Sequence, residues 1–356
     1  SLDDMDLSGL GMLGHLFDLN QIEIYKGPQS TIFGSNAIGG LISIKSNNPA
    51  DKFDLKTSLN VGSDNLRSIS SMVNFKPFKN LSLRVSGAYN YSDGFRKNKS
   101  LNISNSNKRE ESFNRLKAKL FISEDIRFLG TFIYANFANG YDVWSPDNNQ
   151  SYNTYTDSTG EDSQFTKGFS LRSELRFLDK IDITAISAYT ETDLVHAYDG
   201  DWGDSTYWAV NHNFIESNEG WAYSFFDKNE RNRKNLTNEI RLRYLNAIFG
   251  IYHKNLDEKD RARGYLFGGA ATSAKSKYEH NVYAVYGEFE YRLWNNFSLN
   301  SSFRQEHSQY VFSGESQGIN YYYEAVDLPD VSFKSDVQMD GHKVSLNYNP
   351  NKNTNI

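Results

Sequence analysis

From Phe53 onward, apolar and polar residues alternate with a period of two, the spacing of a strand with one buried and one polar face. In LSLRVSGAYNY, Leu81, Leu83, Val85, Tyr89 and Tyr91 share one face, while Ser82, Arg84, Ser86 and Asn90 share the other. GFSLRSELRFL sets Phe169, Leu171, Leu175 and Phe177 against Ser170, Arg172, Glu174 and Arg176. NLTNEIRLRY sets Leu236, Ile240, Leu242 and Tyr244 against Glu239, Arg241 and Arg243, and VYAVYGEFEYRL sets Tyr283, Val285, Phe289 and Tyr291 against Glu288, Glu290 and Arg292. The pattern predicts roughly twelve strands, over 53–62, 66–76, 81–91, 113–123, 126–137, 168–178, 181–193, 235–245, 247–256, 281–292, 297–312 and 341–348. Most are about ten residues long, enough for a tilted strand to cross a bilayer.

The connections alternate in length. Short ones fall at 76–80, 124–125, 179–180, 245–246 and 293–296, and long ones at 92–112, 138–167, 194–234, 257–280 and 313–340. Only GSDN (62–65) is short where a long loop is due. Long loops confined to one side are the mark of an outer-membrane barrel. The charged faces agree: Arg172, Glu174, Arg176, Glu239, Arg241, Glu288 and Glu290 would be costly in a dry core and suit a wet or plugged lumen. The competing reading is a large soluble antiparallel sheet with one solvated face.

Composition narrows the picture. Aromatics make up 15% of the 356 residues, and no apolar run is long enough for a membrane helix, which a barrel does not need. The absence of cysteine excludes a disulfide framework and thiolate zinc. A net charge of −6 and the lack of a basic stripe argue against nucleic acid as a partner. SLDDMDLSGL shows neither the basic nor the apolar region of a signal peptide, which leaves a cytoplasmic protein or an internal fragment.

Catalytic motifs fail on context. GLGMLG (9–14) fits a dinucleotide glycine pattern but follows no strand and opens no βαβ unit. GSNAIGG (34–40) has phosphate-loop glycines, yet Gly40 stands where the lysine is needed. The seven histidines form no HxH or HxxxH pair, DGDWGD (199–204) misses calcium-loop spacing, and no GxSxG occurs. No catalytic residue, metal or cofactor is expected. The 194–234 segment concentrates Tyr198, Trp202, Tyr207, Trp208 and Trp221, and Trp144 lies in the preceding loop. These aromatics suit ligand capture at an extracellular mouth, or the self-packing of a long loop.

IEIYKGPQSTIFGSNAIGGLISIKSNNP (22–49) resembles the C-terminal end of the plug in TonB-dependent outer-membrane receptors. Glu23, Lys26, Gly27, Pro28, Gln29, Phe33, Gly34, Ala37, Gly39, Gly40 and Ile44 stand at the matching places, and NYNPNKNTN is similar to a mid-barrel strand-turn-strand of the family. The resemblance implies an all-β architecture, with the end of a plug at 1–50 and the first part of a transmembrane antiparallel barrel at 51–356. About twelve of 22 expected strands would be present, with the signal peptide and the TonB box outside the chain. It implies a monomeric, non-enzymatic transporter in the bacterial outer membrane, powered by TonB and importing a small molecule such as a ferric siderophore. Cobalamin, an oligosaccharide, a passive porin and an adhesion barrel are the alternatives. Lys26, where the family more often has Arg, is expected to face lumenal acids such as Glu174, Glu239, Glu288 or Glu290 as a point charge.

Overall fold

The computed structural model of the chain describes residues 1–9, 16–27, 34, 37, 39–178, 180–294, 296–320 and 324–348. Near the N-terminus β1 (Leu19–Lys26) and β2 (Gly40–Ser46) form a two-stranded antiparallel sheet. The wall follows as β3 (Asp54–Val61), β4 (Arg67–Phe78) and β5 (Leu81–Ser92). After a two-residue β6 (Lys97–Asn98) come β7 (Arg109–Phe121) and β8 (Ile126–Tyr141), then a short β9 (Asn153–Thr154), β10 (Gly160–Phe177) and β11 (Ile181–Asp199). Two helices, α1 (Ser205–His212) and α2 (Glu216–Glu219), precede β12 (Phe226–Tyr244) and β13 (Ala247–Leu266). The chain continues through β14 (Gly269–Ala270), β15 (Ala274–Trp294), β16 (Phe297–Ile319), β17 (Ala325–Asp327) and β18 (Val331–Tyr348).

The long strands pair antiparallel with their sequence neighbours into one large sheet that is not closed, with β3 at one edge and β18 beside β16 at the other. Twelve wall strands match the expected number, and the short turns fall where the sequence places them. Most strands are longer than the alternation predicts, chiefly at the long-loop end, while β3 is slightly shorter. Stretches such as 258–266 and 226–234, expected in loops, pair residue for residue as strand. There both faces are polar, so alternation disappears while the backbone ladder continues. The loops shrink accordingly, for example to 93–108, 142–159, 200–225 and 267–273.

The two faces of the wall differ as the pattern requires. Val85, Leu116, Phe132, Phe169, Leu171, Leu242, Phe249, Ile251, Val285 and Phe289 are exposed on the outer face. A continuous apolar band of this size needs a nonaqueous environment. The inner face carries Arg84, Arg115, Lys117, Ser170 and Lys254, buried against the N-terminal segment, and the buried, hydrogen-bonded pair Thr166 and Thr192. The apolar core is formed there too: Leu2 and Met5 sit among Phe113, Ile133, Ala135, Phe137 and Ala188. Gly168 leaves room for this contact, since a Cβ there would stand 2.7 Å from Met5 Sδ.

Candidate functional site

The lower part of the lumen is organised by four aspartates of the N-terminal segment. Leu2 and Met5 exchange backbone hydrogen bonds across a two-residue turn in which Asp3 and Asp4 both have positive φ, 45° and 71°. Aspartate tolerates this region, and the tight turn sends the two carboxylates to different wall strands. Asp3 accepts from Lys117 Nζ of β7 at 3.2 Å and from Ser46 N and Oγ at 2.9 and 2.6 Å. Asp4 takes a bidentate pair from Arg172 of β10 at 3.0 and 2.5 Å. Asp6 accepts from Lys254 of β13 at 2.7 Å. Asp18 accepts from Arg84 of β5 at 2.8 and 2.5 Å and lies 3.8 Å from Arg115.

Most of these partners are buried, so each charge depends on its counterpart. Breaking one side of a buried pair leaves an uncompensated ion, at a cost of about 3–5 kcal/mol. The segment is therefore fixed in the concave face by ion pairs from four separate strands, with Leu2 and Met5 as the apolar contact.

The glycine-rich motif meets a different part of the wall. Arg304 Nε and Nη2 donate to Glu306 Oε2 at 2.8 and 2.7 Å, and the guanidinium lies over the Tyr252 and Tyr286 rings. A Cβ at Gly34, whose φ is +88°, would stand 3.1 Å from Arg304 and 3.4 Å from Glu306. Gly40 is required for another reason: at φ +135° a Cβ would be 2.5 Å from the Tyr25 carbonyl oxygen. Gly27 also has a positive φ, and Gly39 opens onto free space. Glu23 pairs with Lys45 across β1 and β2 at 3.1 Å. Pro28, Gln29 and Phe33 lie outside the described residues.

Lys26 does not meet the acids expected for it. It is exposed at the end of β1, opposite Gly40, and forms no ion pair among the described residues. Glu174 is held by Arg127 and approached by Arg172 at 3.9 Å, and Glu239 is held by Arg241 at 2.6 Å and by the Tyr286 hydroxyl. Arg176 pairs with Asp182 at 3.4 Å. Glu288 and Glu290 form no ion pair among the described residues. The polarity is inverted relative to the expectation: acids of the segment meet cations of the wall. A cavity of about 910 Å³ separates segment and wall, lined among others by Asp4, Glu23, Arg172, Glu239, Arg241 and Arg304.

At the long-loop end a second cluster stands above the apolar band. Trp208 contacts Tyr207, His212 and Tyr223, and Trp221 contacts Phe214, Tyr223 and Phe267 of the neighbouring loop. This is the self-packing reading realised. Trp144 and Trp202 remain exposed, stacked at 5.8 Å. Asp204 caps α1 by accepting from Tyr207 N at 2.6 Å.

Two buried carboxylates tie this cluster together. Asp199 sits at the loop end of β11, well above the outward-facing Tyr189, beyond the membrane-spanning part of the strand. It accepts from the amides of Asp157, Ser158, Asp201 and Trp202 at 2.9–3.3 Å. Asp201 accepts from Gly203 N, Phe225 N and Trp208 Nε1. Burial and the nearby Asp201 charge push Asp199 up to about 7, and burial likewise raises Asp201. Neighbouring loops are joined by Asp142, which accepts from Asn98 and Thr154 at 3.2 and 2.6 Å.

Below the loops the lumen face of the wall carries two ring clusters, of which the sequence pointed only to Tyr198 as a candidate ligand contact. Tyr141, His196 and Tyr198 are in mutual contact, with centroids 4.8–6.4 Å apart. Tyr278, His280 and Tyr310 form a second stack on β15 and β16. The parity of Tyr141 with Ile133 and of His196 with Thr192 was the available signal, but those strand ends, like Tyr278 and His280, were expected in loops, while Tyr310 lies in a strand that the alternation predicts.

No family model matches the sequence. Solved structures do match. The ferric yersiniabactin uptake receptor FyuA from Yersinia pestis superposes with a TM-score of 0.79 at 15% identity, over 94% of this chain and 50% of that one. The siderophore receptor PiuA from Acinetobacter baumannii gives 0.68 at 14% identity, over 95% and 53%. The ferric citrate transporter FecA, unliganded, gives 0.65 at 12% identity, over 96% and 49%. These are TonB-dependent outer-membrane receptors, and the chain has their fold. It spans about half the length of the structures it matches.

Proposed function

We propose that the chain is part of a TonB-dependent transporter that imports a scarce nutrient, foremost an iron chelate, across the bacterial outer membrane. Residues 1–50 act as the end of the plug and 51–356 as the first part of the barrel wall. The protein binds and moves its ligand and is not an enzyme. The carrying observation is the occupied lumen: a glycine-rich segment held against the concave face by Asp3, Asp4, Asp6 and Asp18. A passive porin has no use for such an obstruction. The fold likeness to siderophore receptors supports iron as the cargo, while the copper transporter OprC, with a TM-score of 0.65, keeps another metal as the second reading.

In this reading the exposed Trp144 and Trp202 and the lumen-facing Tyr198 contact ligand at the mouth, and TonB acts through a plug N-terminus. Tyr207, Trp208 and Trp221 support the loop that presents them. The test is uptake of radiolabelled ferric chelates by cells expressing the full-length protein, with and without TonB. Accumulation that requires both is expected. Accumulation that persists without TonB would favour the porin reading.

A further inference from the structure

The mouth is asymmetric in charge. Loop 142–159 carries Asp142, Asp147 and Asp157, and loop 200–225 carries Asp201, Asp204, Glu216 and Glu219. Neither contains a lysine or arginine. Cations are confined to loop 93–108, with Arg96, Lys97, Lys99 and Lys108. Acidic loops alone define no site. The built feature is the ring cluster beneath them.

Tyr141 on β8 and His196 and Tyr198 on β11 share the inward parity of Ile133, Thr166 and Thr192, and no register shift interrupts it. Their rings meet edge-on or tilted, none of them stacked face to face, with His196 exposed and the two tyrosines half-buried. Two carboxylates adjoin them. Asp162, opposite His196 on β10, is 59% exposed and lies 3.7 Å from the imidazole. Asp227, opposite Tyr198 on β12, is exposed and forms no ion pair among the described residues. The nearest inward cations are already engaged: Arg231 with Asp260 at 2.7 Å and Arg233 with Glu258 at 2.6 Å.

Aromatic faces attract cations through the ring quadrupole, and an adjacent carboxylate adds to the attraction. We propose that Tyr141, His196, Tyr198, Asp162 and Asp227 form a subsite for a positively charged group of the ligand, so that the cargo is a cationic chelate and not an anionic one. This rests on the transport reading above and deepens it. The acid-only loops draw such a ligand inward, and the rings with their adjoining carboxylates hold it.

A charge series on constant iron chemistry tests the assignment. The probes are a ferric trihydroxamate with a free ammonium group, its N-acetylated neutral form, and a ferric tris-catecholate trianion. Binding to the full-length protein in detergent is followed by tryptophan fluorescence at low salt. The ammonium form should bind about tenfold more tightly than the acetylated form. Asp162→Asn combined with Asp227→Asn should bring the two within about twofold. Tyr198→Ala should lower affinity for the ammonium form while Tyr198→Phe keeps it, a split that loss of folding would not produce. Equal affinities for the ammonium and acetylated forms, or tightest binding of the trianion, would overturn the charge assignment and leave the transport reading standing. If none of the three binds, the iron reading itself fails and takes this subsite with it.

Discussion

The lower lumen and the mouth both bury aspartates, and they stabilise them by opposite means. In the lumen Asp3, Asp4, Asp6 and Asp18 each face a lysine or arginine from a different wall strand. At the mouth Asp199 and Asp201 form no ion pair among the described residues and are satisfied by backbone amides and one indole. An ion pair joins two separate parts of the chain at one point, and its loss strands a charge on each side. Amide donors shape a loop locally and leave the carboxylate responsive to pH. The lumen is thus built to hold one segment in one place, and the mouth to set the shape of a surface.

The largest effect that could break this comparison lies in the lumen. Asp18→Ala strands Arg84 and Arg115 and should weaken docking of the segment by about 3 kcal/mol. Hydrogen exchange of the β1 amides would read this as greatly accelerated opening, and unchanged protection would mean that the pairs are dispensable. Next comes Trp208→Ala, which removes the centre of the loop cluster and should loosen α1 by about 2 kcal/mol, visible as faster exchange at 205–212 with the wall strands unaffected.

The pH effect is smaller. Because Asp199 is raised from 3.8 to about 7, the folded loops favour its protonated form. That contribution is complete below 3.8 and is lost as pH rises through about 7. After correction for intrinsic exchange, amides 157–158 and 200–204 should be better protected at pH 5 than at pH 8. Asp199→Asn should flatten the difference. Last, Trp144→Ala should change stability by less than about 0.5 kcal/mol, since its ring is exposed, while lowering ligand affinity in a binding titration.

The strands and their sidedness were legible because one face had to be apolar and the other polar. What was lost lies where that contrast ends. Above the apolar band EKDRARGYL has two polar faces, so its pairing with β12 left no periodic trace. Tyr141 and His196 went unremarked in supposed loops for the same reason, and Tyr198 was singled out only as a loop aromatic. In SLDDMDLSGL the alternation of Leu2, Met5 and Leu7 with three aspartates was visible, but an acid's partner across the lumen is a matter of tertiary placement. Arg172 was recognised as an inward cation, and Arg84 was placed on the polar face of its strand. Inward cations in a plugged wall require acids on the plug, and following that requirement would have led to Asp4 and Asp18 instead of to Lys26.

The proposed transport requires the segment held in the lumen to move before ligand can pass. These 356 residues contain no cysteine, and Met5→Cys with Gly168→Cys introduces a bridge at the place where segment and wall touch. In the full-length protein, uptake of a bound ferric chelate should stop when this bridge is oxidised, ligand binding should persist, and reduction should restore transport. Undiminished uptake with the bridge closed would contradict the account.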